Sequence, residues 1–287
     1  INMSWGDPSG APVLRDAIRY AESADVVLVA AAGNEGEDAV FYPARFSQTI
    51  AVGASAPEGQ VLAFSNYGPS IDVVAPGQAT LSLFPGGTYG PRSGTSMSAP
   101  HVAGLAALLL GRQPAWTAER VRDALRASAQ DLLVEGWDPY SGAGLVQVSA
   151  LGLSDPPHAR VFSPTQDDVL EVDRVNVQIG LGSVEEWTMA WGRGAEPETW
   201  HIMAEGSAVD RAEIDRTWDV QGLADGMYQV RLRARSGTRW LDDRVRVFLR
   251  RAEGEILGLR TSRELRAGRW RQVVEWETLR ERPGFLI

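Results

Sequence analysis

The sequence predicts an α/β half built on a parallel sheet, followed by an all-β half. Two patterns carry that expectation. Near the start, apolar residues at helical spacing (Leu14, Ile18, Ala21) give way to an unbroken apolar run from Val26 to Ala32, which reads as a helix followed by a strand buried on both faces. Beyond about residue 160, short alternating apolar runs separated by turn residues replace the helical patterns.

Taken in order, Ile50–Val52 and Ile71–Ala75 are further strand candidates of the α/β half. Val102–Leu110 reads as a core helix, with Pro100 placed in its first turn, where a missing N–H is tolerated. Ala118–Ser128 has amphipathic spacing, and Thr117 stands where a helix cap belongs. Residues 154–164 are Pro-rich and lose helical periodicity, which marks a linker between an α/β part at 1–153 and a β part at 165–251. In the β part the runs Val169–Leu181, Trp187–Trp191, Trp200–Met203, Met227–Ala234 and Arg244–Phe248 argue for an antiparallel β-sandwich. Residues 252–287 are Arg-rich, with a strand expected at Gln272–Trp276 before Pro283-Gly284; they read as a solvated tail or the start of a further module.

Composition removes several classes of function. The chain has 287 residues, enough for one sizeable domain and a smaller one, and a formal net charge of -9, which argues against nucleic acid as the main partner. All 28 basic residues are Arg. With 0 Cys there are no disulfides, thiolate metal sites or Cys nucleophiles. No apolar run approaches the roughly 18–20 residues that span a bilayer. The sequence opens at Ile1 without an initiator Met or a signal-like segment, and reads as starting inside a strand.

The most informative string is Gly94-Thr95-Ser96-Met97-Ser98-Ala99-Pro100-His101-Val102-Ala103-Gly104. Small residues around Ser96 allow close approach of backbone and substrate, and the free amides and dipole of a helix start favour developing negative charge. Taken by itself, a Gly-Thr-Ser cap before a core helix satisfies the same pattern without any chemistry.

The whole string closely resembles the nucleophile segment of the subtilases, the subtilisin-like serine peptidases. Further strings follow in that family's order through about residue 152: Ile1–Gly6 resembles the strand that pairs with bound peptide, Val29–Gly36 the oxyanion segment, and Tyr140–Val146 the closing segment. Tyr42-Pro43, Ile50–Ala54, Phe64–Gly68 and Asp72–Gly77 lie between them. The resemblance implies that residues 1–153 are the C-terminal part of a subtilisin-like catalytic domain. It further implies that Ser96 attacks the peptide carbonyl, while the Asn34 side-chain amide and the Ser96 backbone N–H hold the oxyanion. Ser4, Trp5 and Gly6 would pair with extended substrate, and Ala31 and Gly33 would wall the pocket for the residue before the scissile bond. Phe41 departs from the family, standing where a small residue is common, which predicts a shallow pocket. Trp218 and the run Leu223–Leu232 resemble immunoglobulin-like or fibronectin-like modules.

The same resemblance requires a His base and an Asp partner, and none of the three His qualifies. His101 reads as structural, and His158 and His201 as surface residues. The expectation is therefore a serine endopeptidase whose base lies upstream, with this chain inactive alone; a catalytically silent binding or structural protein is the alternative. No cofactor is expected for the chemistry and no metal ligand is assigned. Structural calcium and an extracellular location are implied by resemblance only. Seven of the ten Trp lie beyond residue 180, which suits either a packed β core or a face for a carbohydrate or protein partner; the packed core is favoured.

Overall fold

The computed structural model describes residues 1–152, 155–166, 168–195 and 197–250, together with the backbone of a strand pair at 256–266 and 269–278. The α/β half opens with β1 (Asn2–Met3), α1 (Pro12–Ser23), β2 (Val29–Ala31), β3 (Ile50–Ser55) and β4 (Ile71–Pro76). The four strands form one parallel sheet in the order β1-β2-β3-β4. An antiparallel hairpin, β5 (Thr80–Phe84) and β6 (Thr88–Arg92), leads into α2 (Thr95–Arg112) and then α3 (Ala118–Ser128).

Continuous apolar strands are needed because both faces of this sheet are covered. Val29, Ala31, Val52, Val73 and Ala75 pack with Val102, Leu105 and Leu109 of α2 and with Val121 and Leu125 of α3. Leu28, Ala30, Ala32, Ala51 and Ile71 face the other way, toward Ile18 of α1. The α3 helix has the predicted limits, and Thr117 caps it by accepting the Arg120 N–H at 3.3 Å. The α2 helix begins earlier than the apolar run suggests. Pro100 therefore lies inside the helix and not in its first turn, and its missing N–H leaves the carbonyl four residues back, that of Ser96, without its regular α-helical donor.

The second half comprises β7 (His158–Ser163), β8 (Asp168–Leu170), β9 (Arg174–Arg193), β10 (His201–Asp219), β11 (Gly226–Ser236) and β12 (Arg239–Leu249). It is all β, but hydrogen bonding joins the strands into one six-stranded sheet, not two separate sheets. Two strands of 20 and 19 residues, β9 and β10, cause this. They pair along almost their whole length, while β9 pairs with β7 through residues 178–182 and with β11 through residues 186–193. The sequence underestimates β10 because most of this edge strand is exposed, so no apolar alternation marks it. The strand β7 also starts inside the expected linker, and the expected boundary at 153/154 falls outside the described residues. The backbone pair β13 (Ile256–Arg266) and β14 (Arg269–Thr278) contains the expected strand Gln272–Trp276; Pro283-Gly284 lies outside the described residues.

The β half has its own core, with Val177, Ile179, Leu181, Met189, Val230, Leu232 and Val247 fully or almost fully buried. Its Trp residues are packed. Trp187 and Trp218 are in the core, Trp191 lies against it, Arg231 covers Trp200 at 4.0 Å, and Arg233 covers Trp240 at 4.2 Å.

Charges join the halves. Asp72 of β4 is buried and takes the Arg122 guanidinium in a forked pair at 2.8 and 2.7 Å, with the Ala51 N–H at 2.9 Å. Burial alone would raise the Asp72 carboxyl; the Arg122 charge and hydrogen bonds, with Arg126 and the Ala51 N–H, outweigh it and hold the group below its ordinary value. One helical turn along α3, Arg126 reaches the Asp243 carboxylate of β12 at 3.3 Å and the Asp242 carbonyl at 2.5 Å.

Candidate active site

The site lies at the carboxyl ends of β2 and β4, where an open α/β sheet exposes loop backbone and helix starts together. Gly94, at φ +151°, turns the chain from β6 into α2 in a conformation that L side chains rarely adopt, and its N–H donates to the Gly77 carbonyl at 2.8 Å. Gly77 follows β4. A Cβ there would run into the Ser98 hydroxyl oxygen, so the strand end and the first helical turn fit only with Gly at this position. Ser98 itself donates to the Ala75 carbonyl at 2.9 Å. These contacts pin the start of α2, which presents Ser96 half-buried as its second residue. At that position the backbone N–H has no acceptor within the helix.

Asn34 follows β2 and is exposed. Its Oδ1 accepts the Thr95 N–H at 2.8 Å and the Thr95 hydroxyl at 3.0 Å. A backbone N–H can only donate, so the atom facing it is the amide oxygen, and the Asn34 NH₂ group is left as the outward donor.

Buried Asn66 builds the loop around Asn34. It accepts the Glu35 N–H at 2.8 Å, donates to Ala39 O at 2.9 Å and to Glu35 Oε2 at 3.1 Å, and its own N–H meets the Gly33 carbonyl at 3.0 Å. The same Glu35 oxygen accepts the Asn34 N–H at 2.7 Å. Gly33 is required here: it has φ +113°, and a Cβ would collide with Asn66 Nδ2. The sequence alone assigns no role to Thr95, Asn66 or Glu35, although all three sit in the strings that stand out in it.

Ser4 and Ser96 exchange hydrogen bonds. The Ser96 hydroxyl donates to the Ser4 carbonyl at 3.0 Å, and the Ser4 hydroxyl donates to the Ser96 carbonyl at 2.8 Å. The chain continues past an exposed Trp5 to Gly6, where a Cβ would stand 3.0 Å from the Phe41 Cβ. Asp7 and Tyr42 then pair through two backbone bonds of 2.9 Å, and the Phe41 N–H donates to Ala32 O at 2.9 Å.

Phe41 is thereby held beside the Ser4–Gly6 segment, half-buried. Ala31 is 3 % exposed and its side chain packs into the core beneath α2, so any wall it gives the pocket is its backbone. Gly33 is also buried, its Cα facing Asn66. Ser96, Asn34, Ser4, Gly6 and Phe41 converge, with Trp5 beside them in solvent.

His101 Nδ1 lies 2.8 Å from the Met97 carbonyl within α2, which fits the structural role expected for it. His158 packs over Gly182, and His201 stacks on Trp191 at 4.3 Å. Among the described residues no group of three or more His, Cys, Asp or Glu stands close enough together to hold a metal ion.

The model of the subtilase family matches residues 1–144, half of the chain. This chain belongs to the subtilase family. Subtilisin amylosacchariticus of Bacillus subtilis subsp. amylosacchariticus is 48 % identical over 154 residues, covering 52 % of this chain and 40 % of that protein. A subtilisin of Bacillus pumilus is 47 % identical over 154 residues, covering 52 % and 55 %. The solved structure of the prenylagaramide maturation protease PagA is 31 % identical, with a TM-score of 0.49, over 53 % of this chain and 60 % of that one. The subtilase region here thus spans about half the length of the subtilisins it matches. Its four-stranded parallel sheet, flanked by α1 on one face and by α2 and α3 on the other, is the subtilisin-like α/β fold, and Ser96 and Asn34 both lie within the matched residues.

Proposed function

We propose that the protein acts as a serine endopeptidase in which Ser96 attacks the scissile carbonyl and the acyl-enzyme is then hydrolysed. One observation supports this above the others. The Asn34 amide oxygen is taken up by Thr95, the residue next to Ser96, so the Asn34 NH₂ and the Ser96 backbone N–H are both left as donors at the same helix start. That is the arrangement a developing oxyanion needs. Ser4–Gly6 receives the substrate as an added strand, and Phe41 narrows the pocket beside it.

The general base and its carboxylate partner are assigned to segments preceding Ile1 in the complete protein. No His of this chain serves: His101 is turned onto Met97, and His158 and His201 belong to the β half. The substrate is a peptide or protein, met outside the cell as the likeness to subtilisins suggests. The β half, which includes β7, keeps its described Trp rings for packing, which supports a structural attachment over a carbohydrate face.

The test uses a fluorophosphonate probe and peptide hydrolysis on the full-length protein. Ser96→Ala is expected to abolish both; retention of either overturns the assignment of the nucleophile. The segment 1–287 alone is expected to show no ordinary protease rate. Turnover by it would refute an upstream base.

A further inference from the structure

The reciprocal pair of Ser4 and Ser96 contains one bond that replaces a regular helical one. Pro100 lies inside α2 and has no N–H, so the carbonyl of Ser96, four residues earlier, lacks its regular α-helical donor. The Ser4 hydroxyl donates to that oxygen at 2.8 Å, across 92 residues of sequence. An intrahelical donor is replaced by a side chain from the strand that ends next to the site.

The two bonds of the pair differ in what catalysis asks of them. The bond from the Ser96 hydroxyl to Ser4 O, at 3.0 Å, must break whenever that hydroxyl turns to a substrate carbonyl or a base. The bond from the Ser4 hydroxyl to Ser96 O involves no reacting atom and can persist throughout. We infer that the Ser4 side chain is a positioning residue, which holds the Ser96 peptide unit, and with it the Ser96 N–H and Cβ, in register with Asn34 and with the Ser4–Gly6 strand. This rests on Ser96 being the nucleophile, but the bond itself does not.

Geometry around the pair supports the inference. The other fixed points of the helix start act on its neighbours: Thr95 through Asn34, Ser98 through Ala75 O, and Gly94 through Gly77 O. The carbonyl of Ser96 is the one backbone acceptor of the nucleophile residue, and Ser4 fills it. Ser4 is half-buried, so its hydroxyl is only partly screened by water.

A double-mutant cycle in the full-length protein tests the idea. Ser4→Ala is expected to lower kcat about five- to tenfold with KM nearly unchanged, and Ser4→Thr, which keeps the hydroxyl, to restore most of it. Pro100→Ala supplies the missing helical N–H, so in that background Ser4→Ala should change kcat by less than about twofold. The same cycle read as thermal unfolding should show Ser4→Ala lowering Tm in the wild-type background and not in the Pro100→Ala background.

An equal kcat loss from Ser4→Ala in both backgrounds, or a loss confined to KM, overturns the positioning role. Absence of coupling in Tm overturns the capping bond. Failure of the nucleophile assignment would show separately, as hydrolysis surviving Ser96→Ala while the Tm coupling stands.

Discussion

Thr95 gives both of its donors, the backbone N–H and the hydroxyl, to the side-chain oxygen Oδ1 of Asn34, at 2.8 and 3.0 Å. The contact orients Asn34 through its acceptor and leaves the NH₂ group facing outward as a donor. It also separates two functions of one side chain that substitution can test independently.

Asn34→Asp keeps an oxygen for Thr95 and removes the NH₂ donor, placing negative charge where the oxyanion would form. The fold should survive with little change in Tm, while kcat falls at least as far as the roughly 100- to 1000-fold known for removal of the corresponding donor in a subtilisin. Asn34→Ala removes both functions and should add a loss of about 1 kcal/mol in stability, because the Thr95 donors lose their partner. Comparable kcat for wild type and Asn34→Asp would show that the oxyanion is held elsewhere.

The pocket role proposed for Phe41 predicts a different property. Its backbone is fixed by its N–H on Ala32 O, and its Cβ stands close against Gly6. Phe41→Ala should open the pocket and shift a peptide-library profile of the full-length enzyme from small toward large side chains before the scissile bond. By the size of the apolar surface released, the change in relative kcat/KM is about tenfold. A wild-type preference for large aromatic residues would contradict a shallow pocket.

The buried pair Asp72–Arg122 ties stability to pH. The folded state holds Asp72 below its ordinary value of 3.8, so the unfolded chain takes up the proton first as the solution becomes acidic. The pair's contribution is present above 3.8 and is lost as pH falls through the lower folded value. Asp72→Asn leaves Arg122 buried without its counter-charge and should cost about 3–5 kcal/mol near neutral pH. The gap in Tm between wild type and Asp72→Asn should then close in acid, where wild type also carries a neutral Asp72. A gap that stays constant down to about pH 2 would rule the pair out as its source.

How far the sequence can be read follows from where the information lies. Parallel strands buried on both faces announce themselves as apolar runs, and the Thr117 cap and the limits of α3 depend on local chemistry alone. Ser96 and Asn34 stand out because their neighbours must be small or must be Gly: Gly33 and Gly94 have backbone angles that other residues resist. The facing of Ala31 is not legible, because a residue adjacent in sequence to the site can point its side chain into the core, and only the strand's facing decides which. Asn66, Thr95 and the Ser4 hydroxyl act through partners 31, 61 and 92 residues away, so the strings that hold them stand out while these particular bonds are not marked by any local pattern. The extent of β10 is hidden for another reason: an edge strand exposed along most of its length has no apolar alternation to show.

The two halves meet through Arg126 and Asp243, and the pairing makes a prediction about their independence. Arg126 is 12 % exposed and Asp243 19 %, so neither charge is well hydrated when its partner is removed. Arg126 also lies 3.9 Å from Asp72, which connects the contact to the strand leading to Gly77 and the start of α2. Arg126→Ala and Asp243→Ala should each lower stability by about 1–3 kcal/mol, and the double variant by less than their sum, giving a coupling energy above about 0.5 kcal/mol in denaturant unfolding. If the halves unfold as one cooperative unit, both probes of the transition, Trp fluorescence dominated by the β half and helical circular dichroism from the α/β half, should shift together in the single variants. Strict additivity, with the two probes shifting separately, would mean that the β half is tethered to the subtilase half without supporting it.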